Sequence, residues 1–136
     1  MESAIRTAPV SRTRQRAGLI MTVVAVLFLL FDSVIKVMRV APAVEGTVQL
    51  GYPATAVLGI GIIQLVCLVT YVLPRTAVLG AILLTGYLGG AVATHVRIGS
   101  PLLTHILFPV YVAVLIWGGL YLRDERLRAL VPLRRQ

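Results

Sequence analysis

The sequence predicts an all-α transmembrane protein: a four-helix bundle of up-down-up-down topology with both termini in the cytoplasm. Three observations carry that expectation: four apolar runs of about bilayer length, short links rich in proline and glycine, and basic residues crowded at the chain ends. Composition agrees. Of 136 residues, 58% are apolar and 13% charged, and the mean hydropathy is +0.92, whereas a soluble domain carries about a quarter charged residues.

The elements follow in order. Residues 1–16 form a basic tail with Arg6, Arg12, Arg14 and Arg16. The first apolar run covers about 17–38. Crossing ~30 Å of hydrocarbon takes about 20 apolar residues, and such a run must be helical because lipid offers its backbone no partners. Ala41-Pro42-Ala43 resembles a signal-peptide cleavage site, but Asp32, Lys36 and Arg39 lie between it and the apolar run and argue against cleavage. Proline and glycine punctuate the stretch from Val40 to Pro53, which reads as a loop. The remaining runs cover about 54–73, 76–96 and 102–122. Leu73-Pro74-Arg75-Thr76 and Arg97-Ile98-Gly99-Ser100-Pro101 join them, and links this short force antiparallel neighbours. The 17–122 domain is followed by a second basic tail, 123–136, whose Arg123 to Leu133 stretch suits an amphipathic extension on the membrane surface. Pro53 to Gly59 is nearly repeated as Pro74 to Gly80, with each proline opening a helix, where its missing N–H is tolerated.

Charge sets the expected orientation. Thirteen Lys and Arg against five Asp and Glu give a net charge of +8. In a soluble domain that excess would suggest nucleic acid. Here no basic stripe runs along a folded surface, so membrane lipid is the expected partner and nucleic acid is not. All the Lys and Arg except Lys36, Arg39 and Arg97 fall on the side of the termini in a four-span topology, and the positive-inside rule places that side in the cytoplasm.

Polar residues within the apolar runs are the candidate site. Asp32 falls late in the first run, and a charge there costs several kcal/mol unless paired or facing water. Lys36 and Arg39 share its helical face and can snorkel outward while Asp32 points inward. Antiparallel helices bring His95, Arg97 and His105 to the same level, so Asp32, Lys36, Arg39, His95, Arg97 and His105 form an expected polar cluster, with Glu45 in the adjoining loop. Gln64 and Tyr87 are expected nearer the midplane, facing each other. Two readings compete for the cluster. One is a pocket for a small polar or quinone-like headgroup, in which an Asp and two His could also pass protons; the other is a clamp of ion pairs and hydrogen bonds that fixes the helices. Gly86 and Gly90 form a GxxxG pair that Thr94 extends by a turn, a small-residue face for close helix packing, with a helix of the same chain as the favoured partner and another subunit as the alternative. Pro109 should kink the last helix, while Trp117, Tyr121 and Tyr111 read as interfacial anchors or packing groups.

Enzymatic signatures are missing from the sequence. No G-x-S-x-G, phosphate-binding glycine loop, HExxH or dinucleotide-binding pattern occurs. Cys67, the one cysteine, reads as a small buried hydrophobe. Two histidines on different helices do not make a metal site. No metal and no self-contained enzyme are expected, and the sequence names no catalytic residue.

Several segments together carry a family resemblance: Asp32-Ser33-Val34-Ile35-Lys36, Leu50-Gly51-Tyr52-Pro53, Tyr71-Val72-Leu73-Pro74-Arg75-Thr76, the run from Gly80 to Arg97, and Phe108-Pro109 followed by Trp117. The chain resembles the DoxX-like family of small bacterial four-helix membrane proteins from its first helix through Leu130. That resemblance implies a multi-pass protein of the bacterial inner membrane. The family takes its name from a subunit of a thiosulfate:quinone oxidoreductase, so a quinone cofactor and a membrane or redox protein partner join a second copy of the chain as candidates. It carries over no catalytic residue. The leading expectation is an accessory or structural membrane subunit; the alternatives are a quinone-linked or lipophilic-ligand-binding component of an oxidoreductase complex and a small transporter.

Overall fold

The computed structural model describes residues 11–130, and these are all-α. Helix α1 runs Arg12–Val37, α2 Ala41–Gln49, α3 Ala56–Val72, α4 Ala77–Arg97, α5 Phe108–Arg123 and α6 Glu125–Leu130, with a π-helical turn at Leu102–Ile106 leading into α5. The positions of Arg6, Arg134 and Arg135, and the end of the C-terminal extension, lie outside the described residues.

Among the described residues, three helical stretches are long and apolar enough to cross a membrane: Arg12–Val37, Ala77–Arg97 and Leu102–Arg123. The expected four-helix up-down-up-down bundle is therefore corrected to an all-α fold with three such helices and a shorter apolar one, α3. At ~1.5 Å per residue, the 17 residues of α3 reach about 25 Å, short of ~30 Å of hydrocarbon. Its two ends explain the shortfall. Residues after Pro53 form a turn, with Ala56 N–H bonded to the Pro53 carbonyl at 2.9 Å, and Leu73 is already extended (φ −72°, ψ 124°), as steric clash demands of a residue before proline. The placement of both termini on one side rested on an even number of spans and falls with that count.

The other differences have local causes. Helix α1 starts at Arg12 because the Ser11 hydroxyl accepts the Arg14 N–H at 3.2 Å, a standard N-cap bond. The stretch after Val40 is helical rather than loop, with Pro42 in its first turn, where a missing N–H costs nothing. The last apolar run is broken. Pro109 cannot donate one turn back, and just before it the chain widens: Ile106 N–H reaches the Pro101 carbonyl and Leu107 N–H the Leu102 carbonyl. The Leu103 carbonyl accepts the Tyr111 hydroxyl at 3.1 Å instead. At the far end, Asp124 Oδ1 accepts the Arg126 N–H at 2.8 Å, starting α6, which buries Leu127.

Helix α1 packs against α3 and α5, and α4 packs against the same two. The core between them comes from Ala25 and Leu29, Leu68 and Tyr71, Leu84 and Leu88, and Val112, Ile116 and Leu120. Helices α1 and α5 run antiparallel: Gly18 meets Gly119 at one end and the rings of Phe28 and Phe108 meet edge to face at 5.1 Å towards the other. Many large apolar side chains, among them Ile20, Phe31, Ile63 and Leu103, are exposed on the outer faces, as helices solvated by lipid tails require.

Candidate functional site

The site begins with glycine. A Cβ on Gly61 would approach the Lys36 Cβ to 2.8 Å and the Val37 backbone nitrogen to 3.0 Å, so only glycine lets α3 come this close to the end of α1. One turn further along α3, Gln64 then lies within reach of Lys36, and Tyr87 comes in from α4.

These residues and Asp32 form a closed network. The Lys36 ammonium donates to Asp32 Oδ2 at 2.6 Å, to Gln64 Oε1 at 3.1 Å and to the Tyr87 hydroxyl oxygen at 3.1 Å. Gln64 Nε2 donates to Asp32 Oδ2 at 2.9 Å and to the Leu29 carbonyl at 3.4 Å, while the Tyr87 hydroxyl donates to Gln64 Oε1 at 3.0 Å. Gln64 is fully buried, and every polar atom of its amide is partnered. Such satisfaction is what makes polar groups tolerable in an apolar interior.

All four residues of the network line a cavity of about 880 Å³. Phe28, Ile60 and Phe108 are among its apolar walls, α2 covers part of it through Pro42 and Thr47, and His95 and His105 lie in its lining. The two imidazole rings meet edge to face at 5.7 Å. His95 Nδ1 is 3.0 Å from the Ser100 hydroxyl, and His105 Nδ1 is 2.7 Å from the Thr104 hydroxyl.

The six-residue cluster read from the sequence is thus divided. Asp32 and Lys36 join Gln64 and Tyr87, two residues the sequence reading put at a different depth. Lys36 does not snorkel outward: it folds back one turn, because three acceptors wait there. His95 and His105 pair with each other and with neighbouring hydroxyls, apart from the carboxylate. Arg97 donates to the Leu50 carbonyl at 2.8 Å, beside Gly51, whose φ of +91° calls for glycine. Arg39, in a left-handed conformation (φ 52°) after α1, is exposed, and so is Glu45. No group of three or more His, Cys, Asp or Glu side chains that could hold a metal occurs among the described residues.

The small-residue face is divided as well. Gly86 and Gly90 line the cavity, and among the described residues a Cβ on either would meet nothing within 4 Å. Thr94 is buried and shares a 2.9 Å hydrogen bond with the Tyr52 hydroxyl, tying the turn before α3 to α4. The sequence reading assigns none of Phe28, Phe108, Tyr52 and Ser100 to the site. For Phe28 a signal existed: it lies four residues before Asp32 and eight before Lys36, on the same face of α1.

Fold and site together define an integral membrane protein of several apolar helices, hollow at one end and lined there by a lysine-centred polar network. The chain belongs to the DoxX-like family, whose pattern matches residues 20–119. No curated protein matches it, and no solved structure does.

Proposed function

We propose that this DoxX-like protein binds a lipophilic small molecule in the cavity, with the molecule's polar end against Asp32, Lys36, Gln64 and Tyr87. The carrying observation is the cavity itself: about 880 Å³, with apolar walls and convergent polar groups in its lining. Small-molecule sites usually fall between about 300 and 1,000 Å³ and have that division of labour. A purely structural clamp, the reading that goes with an accessory subunit, accounts for the hydrogen bonds but not for a hollow of this size beside them. The proposed location is the bacterial inner membrane. Helical spans support it, since outer-membrane proteins of bacteria cross as β-barrels.

Purification in mild detergent, followed by mass spectrometry of the extracted lipophiles, tests the proposal. The wild-type chain should retain a defined lipophile, and Gly90→Leu, which puts a side chain into open space lining the cavity, should retain less. Protein recovered bare, or equal retention by the variant, overturns it.

A further inference from the structure

We infer that the polar network lining the cavity selects a neutral hydrogen-bond donor, the hydroxyl of a lipophilic alcohol or phenol, over a carbonyl, a carboxylate or a cation. This rests on the proposed binding role and concerns which headgroup the polar network accepts.

The inference comes from counting donors. An ammonium has three N–H groups, and Lys36 spends them on Asp32, Gln64 and Tyr87. A primary amide has two, and Gln64 spends them on Asp32 and the Leu29 carbonyl. The single phenolic O–H of Tyr87 goes to Gln64. Nearby, the Thr94 hydroxyl is given to the Gly90 carbonyl at 2.8 Å and that of Thr47 to the Ala43 carbonyl at 2.8 Å. No donor of the network is left over. One strong acceptor is: both hydrogen bonds to the Asp32 carboxylate end on Oδ2, Oδ1 has no partner among the described residues, and Asp32 lines the cavity with its side chain 28% exposed.

Each class of headgroup meets this arrangement differently. At the network, as distinct from the His95–His105 wall of the cavity, a carbonyl or carboxylate could be bound only by taking a donor from a partner already satisfied, leaving that acceptor unpaired. An anion would also face the Asp32 carboxylate. A cation would sit beside the Lys36 ammonium, whose charge already neutralises Asp32, and like charges at such range repel strongly away from water. A hydroxyl breaks nothing and gains a charge-assisted O–H···O⁻ bond to Oδ1. A quinone-type molecule fits by this logic in its reduced, dihydroxy form.

The test uses a matched pair, 4-nonylphenol and 4-nonylacetophenone, titrated calorimetrically into the purified full-length protein in mild detergent. Gly90→Leu serves as the control for partition into micelles. The phenol should bind at least tenfold more tightly than the ketone. Asp32→Asn should abolish or reverse that preference, because its carbonyl oxygen can take over the bonds from Lys36 and Gln64 and turn an NH₂ donor towards the cavity. Equal affinities in the wild type, or a tighter ketone, overturn the inference while leaving the cavity as a lipophile site. If neither compound shows binding sensitive to Gly90→Leu, the inference and the proposed function fail together. The wild-type comparison decides the matter even if Asp32→Asn does not fold.

Discussion

The two ends of the molecule are built on opposite principles. Where α1 begins and α5 ends, the helices meet backbone to backbone: a Cβ on Gly18 would lie 2.8 Å from the Gly119 carbonyl oxygen, and one on Gly80 would fall on the Tyr71 backbone. Where α1 ends and α5 begins, α3 still reaches the α1 backbone at Gly61, but the cavity opens beside that contact, and it is bordered by long polar side chains and the Phe28–Phe108 ring pair. In lipid, helices gain little by hiding apolar surface from one another and depend on close packing and interhelical hydrogen bonds. The packed end rests on the first of these, and the hollow end adds the second to its one close approach at Gly61. The difference assigns stability to one end and leaves the other free to enclose a ligand.

Substitution at Gly80 should break the packed end most completely. Gly80→Val places three carbons where the Tyr71 and Thr70 backbone already lies, and backbone cannot yield as the tip of a side chain can. Loss of folded protein is expected, above the ~4 kcal/mol that marks the extreme of single substitutions, and size-exclusion chromatography in detergent would show it as aggregation. A well-folded Gly80→Val protein would mean that α3 and α4 are not seated this closely.

At the hollow end the largest effect belongs to Lys36. Lys36→Met removes three hydrogen bonds at once and strands the Asp32 carboxylate, a situation that costs about 3–5 kcal/mol in buried pairs. Replacing both residues, as Asp32→Leu with Lys36→Met, should cost less than Lys36→Met alone, because no charge is left uncompensated. Thermal unfolding of the two single variants and the double variant measures the coupling. Additive costs would show that the pair acts as two independent residues.

Two tyrosines allow the ends to be compared by one chemical change. Tyr71, 2% exposed, donates to the Ile116 carbonyl at 2.9 Å within the packed core; Tyr87 donates to Gln64 at the wall of the cavity. Removing a single hydroxyl is worth about 0.6 kcal/mol on average between membrane helices, with a ceiling near 1.7. Tyr71→Phe should lie in the upper part of that range. Tyr87→Phe should lie in the lower part, because Lys36 and Gln64 border a cavity where a small molecule or water can replace the lost oxygen. The reverse order of melting temperatures would contradict the contrast between the ends.

What could be read from the sequence follows from what each residue type reports by itself. Apolar runs report burial in lipid directly, so the helices could be located within a few residues. Gln64 and Tyr87 stood out because polar groups deep in such runs are rare and need partners. Their partners were less legible: that Lys36 is long enough to reach one turn in either direction is a property of lysine, whereas the direction it takes depends on acceptors 28 and 51 residues away along the chain. The length of α3 was overestimated because hydropathy does not register the turn after Pro53 or the extended backbone at Leu73. The segment Ala41–Gln49 looked like a loop because proline and glycine punctuate helix starts as well as turns. Phe28 and Phe108 resembled any other apolar residues until the space between the helices was known.

The glycines give the finest test, because sequence and structure rank them differently. Gly86 and Gly90 carry the spacing associated with close helix packing, yet a Cβ on either meets open space; of the two glycines of the near-repeat, Gly80 is pressed against a neighbouring backbone while Gly59 is free. Spacing along one helix says only that a smooth face exists, and the approach of a partner depends on where the adjoining helices are held. Here the Asp32–Lys36–Gln64–Tyr87 network and α2 hold them around the cavity. Gly86→Ala and Gly90→Ala should therefore leave the melting temperature unchanged or raise it slightly, since alanine in a helix interior is favoured over glycine by up to about 1 kcal/mol. Lowered stability, or a smaller assembly by light scattering, would place the backbone of another chain on that face and make the cavity wall an interface.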